Sequence, residues 1–83
     1  MDKFIIMDSH ISRDIHNAIV TIQCQLPNKS IHEVKVYVAN IFMEEKHISE
    51  SDSDILDAAI SWATLKLREA KTVTDISELW LHN

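Results

Sequence analysis

The residues able to do chemistry are present but scattered. Five histidines, His10, His16, His32, His47 and His82, have no second histidine three or four positions away. There is no HExxH motif and no Cys–His pair at zinc spacing. Asp8, His10 and Asp14 lie close in sequence, but solvated or capping side chains account for them. Cys24 is the single cysteine. No helix start or neighbouring base lowers its pKa, so it reads as a small hydrophobe rather than a nucleophile. The serines sit in cap-like contexts without a nucleophile elbow. Asp52-Ser53-Asp54 resembles the start of a calcium loop, yet the twelfth residue from Asp52 is Ala63 where a bidentate acid is required. These patterns lead us to expect no catalytic set, no cofactor, no metal and no small-molecule substrate.

The elements that would position a site are limited by composition. The 83 residues include no glycine, where average usage would give about six. Phosphate-cradling loops and dinucleotide fingerprints need glycine at fixed places and are excluded. Tight hairpin turns with φ > 0 become harder to build. One small domain, 1–83, is expected, burying about 60–65% of its unfolded surface. A partner or second copy would add stability.

The net charge is −5, from 13 acids and 8 bases. Nucleic-acid binders normally carry a basic face, so a basic protein partner fits better. Lys66, Arg68 and Lys71 read as charges near a helix C-terminus. The apolar run near the N-terminus, Phe4 to Met7, is too short for a signal peptide or membrane span. A single cysteine suits a reducing compartment. A cytoplasmic protein is expected.

Periodicity favours an all-α fold, a small bundle of three to four short helices completed within one chain or by dimerisation. Ile15, Ala18, Ile19, Ile22 and Leu26 share one helical face, with Ser12 as cap, Asp14 in the first turn and Pro27 as stop. Ser30-Ile31-His32-Glu33 has the form of a capping box. Ile31, Val34, Val38, Ile41 and Phe42 then form a second stripe, ending near Lys46. A third helix runs from Asp54 to about Lys71, and a short fourth follows Thr74. The alternative is an α+β fold, with a β-hairpin at about 18–41 packed on the helix 54–71. Val20, Ile22, Cys24 and Leu26 alternate with polar residues, as do Val34, Val36 and Val38, and isoleucine is frequent.

The third helix carries two apolar stripes. One is Ile55, Ala58, Ala59, Trp62 and Leu65; the other is Leu56, Ile60, Ala63 and Leu67. Together they exceed the single stripe of an ordinary surface helix. The segment from Glu44 to Asp57 adds six acids and one lysine. A non-enzymatic interaction module follows: a small regulator, inhibitor or adaptor binding another protein, or itself as a homodimer, through an apolar helix face with an acidic rim. The expected partner-binding residues are Tyr37, Met43, Glu44, Glu45, Asp52, Asp54, Ile60, Trp62, Leu67 and Trp80. The alternative function is a dimeric DNA-binding regulator with a small helix-turn-helix.

Overall fold

A computed structural model describes residues 3–81; His82 lies outside them. The chain is an α+β domain, not a helical bundle. Strands β1 (Ile5–Arg13), β2 (Asn17–Gln25) and β3 (Ile31–Ala39) precede helices α1 (Asn40–Glu45) and α2 (Asp52–Glu69). In place of the short fourth helix expected after Thr74, a 3₁₀ turn at Val73–Asp75 leads into strand β4 (Glu78–Trp80), which pairs with β3. The sheet order is β1-β2-β3-β4, with two antiparallel pairs and a parallel β3–β4 pair. Parallel neighbours need a long crossover, and residues 40–77, containing both helices, supply it.

The first two expected helices are strands because the period of two wins over the period of 3.6. Ala18, Val20, Ile22 and Cys24 point to one side of β2 and are fully buried. Across the ladder, Ala18 faces Val38, Val20 faces Val36 and Ile22 faces Val34. This side of the hairpin is therefore mostly β-branched, stiff at χ1 and well suited to a pleated surface. A helix over 15–26 would bury Ile15 and Ile19 with Ile22. Ile15 is instead exposed in the β1–β2 turn.

The supposed caps make turns. The Asp14 carboxylate accepts from the backbone N–H groups of His16 (2.8 Å) and Asn17 (2.7 Å), closing the β1–β2 turn. These bonds hold its pKa below the ordinary value. Pro27 occupies the second position of a turn in which Lys29 N–H donates to Leu26 O at 2.8 Å, a place that suits its fixed φ. Lys29 then takes φ 67°, and Leu26 N–H bonds Ser30 O at 2.9 Å. Ser30 Oγ donates to Asn28 Oδ1 at 2.6 Å instead of capping a helix. The hairpin is thus turned without glycine, by a lysine in the left-handed region.

The long helix, expected from Asp54 to about Lys71, is Asp52–Glu69, two residues earlier at each end. Ser51 caps it, accepting from Asp54 N–H at 3.3 Å, and Asp52 and Asp54 fill the first turn. Ile55, Ala59, Ala63 and Leu67 form its buried seam. This seam, at a spacing of four residues, runs between the two expected stripes. Its central alanines let the helix axis approach the sheet, while Ile55 and Leu67 fill the space at either end. Met43 of α1 and Val73 complete the core, all on the same side of the sheet.

Candidate protein-binding surface

Because both helices cover one side, the other side of the sheet is left open. Strand alternation decides what it presents. The pairing register aligns Ser12, Ile19, Tyr37 and Trp80 as one row across all four strands. The next row is His10, Thr21, Lys35 and Glu78. Asp8, Gln23 and Glu33 make a third across three strands. The face therefore carries an aliphatic–aromatic band bordered by a band of mixed charge.

The aromatic end of the band is ordered. The Tyr37 and Trp80 rings stack with centroids 4.9 Å apart and planes 22° from parallel. Tyr37 Oη donates to Glu78 Oε2 at 2.8 Å. That bond favours the protonated phenol and pushes its pKa up. Leu81 N–H bonds Tyr37 O at 3.0 Å, and Lys35 N–H bonds Ser77 O at 2.9 Å, so the short β4 is fixed at both ends. His32 Nε2–H donates to Ile76 O and anchors the approach to β4 from within β3. Trp80 stays 52% exposed while Thr21, mid-face, is only 6% exposed. The centre of the face is closely packed, and its edge holds the aromatic surface.

The sequence-predicted residues fall into three places. Tyr37 and Trp80 come together on the open face. Met43 and Leu67 are fully buried in the core between helices and sheet; both belong to its apolar cluster and present nothing to a partner. Glu44, Glu45, Asp52, Asp54, Ile60 and Trp62 belong to the helical layer. Ile60 and Trp62 are half-buried and packed against the core, and Lys66 Nζ lies 4.7 Å from the Trp62 ring centre. Glu44, Glu45, Asp52 and Asp54 are exposed around the α1–α2 junction. There Asp52 accepts from Arg13 at 2.8 Å. Hydrogen bonds from Ser49 and Ser51 hold the Asp54 carboxyl below its usual pKa.

The surplus apolar helix surface is thus largely absorbed by the sheet. Leu56, Ile60 and Trp62 flank the seam and pack on the core; among the stripe residues only Leu65 is exposed. Ile19, expected on a helix face, joins the candidate surface with Thr21, Lys35 and Glu78, which are not among the expected partner-binding residues. The signal for Thr21 and Lys35 is the polar half of the same alternation that marks Val20 and Val36. Among the described residues no cluster of three metal-ligating side chains occurs, and no helix is long and apolar enough to cross a membrane.

Comparison with known proteins identifies no relative: no family model matches, and neither a curated protein nor a solved structure matches significantly.

Proposed function

We propose that the chain is a non-enzymatic protein-interaction domain that docks through its open sheet face, anchored on Tyr37 and Trp80. The observation that carries this reading is the row Ser12–Ile19–Tyr37–Trp80 on a side of the sheet that, among the described residues, no helix covers. Aromatic side chains that keep one face accessible, next to closely packed neighbours, are the usual energetic centres of interfaces. The mixed-charge row beside them, His10, Lys35 and Glu78, supplies polar specificity. The acids at the α1–α2 junction lie on the helical layer. They act at a distance, steering a basic partner rather than rimming the contact. The buried free thiol of Cys24 suits a reducing compartment such as the cytoplasm.

The several short helices that motivated a DNA-binding alternative are largely strands here. The remaining pair joins a six-residue helix to one whose first turn carries Asp52 and Asp54, charges that phosphates repel. A protein partner is therefore the better-supported reading.

A photo-crosslinking side chain placed at Tyr37, and separately at Ser61 on the outer surface of α2, tests it in the source cells. A discrete crosslinked protein from position 37 and none from 61 is expected. Crosslinking from 61 alone, or none from 37, overturns the open-face assignment.

A further inference from the structure

The long helix runs from an acid-rich end to an end where Arg68 and Lys3 line one hollow. Arg13, at the end of β1, donates 2.8 Å bonds to Glu50 O and Asp52 Oδ1 at the start of α2. At the other end, Arg68 shares a hollow with Phe4 and Ile5 at the start of β1. Helix and strand therefore run antiparallel, and 18 residues of α2 separate the two ends by about 25 Å. Glu44, Glu45, Glu50, Asp52 and Asp54 gather at the first end. At the second, the hollow's charged lining residues among those described are Lys3 and Arg68, both cations, on a chain of net charge −5.

The hollow has a volume of about 640 Å³ and an apolar floor of Phe4, Ile5, Leu26 and Pro27. That volume lies within the range of small-molecule sites. Ile5 is 62% exposed there, so covering it with an aliphatic chain removes apolar surface from water. The Arg68 guanidinium presents a planar fork suited to a carboxylate, with Lys3 as a second positive charge.

We infer that this hollow is a binding site for an amphipathic monocarboxylate, an aliphatic chain of medium length with one anionic head. The chain lies on Phe4, Ile5, Leu26 and Pro27, and the carboxylate meets Arg68 and Lys3. The inference does not depend on the open-face reading, which uses other residues.

The test is a titration of ¹⁵N-labelled protein with decanoate, kept below its micellar concentration, followed by amide chemical shifts. Saturable shifts confined to Phe4, Ile5, Gln25, Leu26 and Arg68 are expected. Decanol, which lacks the charge, should bind about tenfold more weakly, and so should decanoate to Arg68→Glu, the size of one lost charged contact. Arg68 is exposed, so the variant should keep the amide positions of the buried α2 seam. Lys3→Glu, which lies before β1 and leaves the helix sequence unchanged, gives a second reading of the same charge dependence. Absent, non-saturating or widely scattered shifts overturn the inference. Equal affinity for decanol, or undiminished decanoate binding by both variants, overturns it as well.

Discussion

The two faces of the β2–β3 hairpin are made by neighbouring residues of the same strands, yet they do different work. On the covered face, Val20, Ile22, Val34 and Val36 are sealed under α2. On the open face, Ile19, Thr21, Lys35 and Tyr37 interleave with them. One residue of register decides which set enters the core. The covered face concentrates apolar burial, the main favourable term in folding. The open face contributes less to stability and is freer to carry recognition. Substitution of adjacent residues can therefore separate the two roles.

The largest effect is expected for Ile22→Ala, which opens a cavity in a closely packed core and should cost about 2–5 kcal/mol. In a domain this small that is much of the total stability. Ile19→Ala, on the open face, should cost clearly less in the same urea titration. Equal losses would mean that the open face is buried as deeply as the covered one, and the proposed docking surface would fall with the distinction.

Cys24 sharpens the contrast chemically. Burial pushes its thiol above the ordinary value of 9.0. A folded-state pKa raised in this way has a definite sign. The unfolded chain loses the proton first, so stability is unaffected below about pH 9 and falls as pH rises through that value. Native protein should resist a thiol reagent at pH 8 and react fully in denaturant. Rapid native modification would show that the covered face opens readily. Asp14 acts at the opposite limit. Its depressed pKa means that the turn it closes should weaken as pH falls below about 4, visible as loss of the His16 and Asn17 amide positions before global acid unfolding.

On the open face, Trp80→Ala removes the ring stacked on Tyr37 and should lower stability by about 1 kcal/mol. Crosslinking through position 37 should fall far more than stability does. A variant that loses stability and retains crosslinking would assign Trp80 to holding β4 rather than to recognition.

How much of this was legible depends on the element. The long helix was readable because first-turn acids, strong helix formers and terminal bases agree on a helix from Asp54 to about Lys71, close to the observed Asp52–Glu69. The hairpin was not, because Ile15, Ala18, Ile19, Ile22 and Leu26 satisfy a period of 3.6 while Ala18, Val20, Ile22 and Cys24 satisfy a period of two. Pro27 and Ser30 suit a helix boundary and a turn equally. Long-range pairing with β3 breaks the tie, and it is invisible locally. Strand β4 has only three residues, too few for a periodic signal. Tyr37 and Trp80 were identifiable by residue type, but their stacking depends on the parallel β3–β4 register. Met43 and Leu67 have the same apolar character and lie inside, since composition does not tell core from contact.

The smallest expected effect concerns the glycine-free backbone itself. Lys29 and His47 hold φ of 67° and 55°, where an L-residue with a Cβ is strained by about 1–2 kcal/mol. Lys29 is exposed and its N–H already bonds Leu26 O, so replacing it by glycine changes little but the backbone preference. Glycine gains unfolded-state freedom that opposes part of the benefit, about 0.5–1 kcal/mol. Lys29→Gly should therefore stabilise the domain by roughly 0.5 kcal/mol, the difference of those two terms, or about 2–4 °C in melting temperature. The gain should appear without any change at Cys24 or Trp80, since the turn touches neither. A destabilised Lys29→Gly would mean that the lysine side chain itself contributes to this turn, and the β2–β3 connection would then depend on more than its backbone.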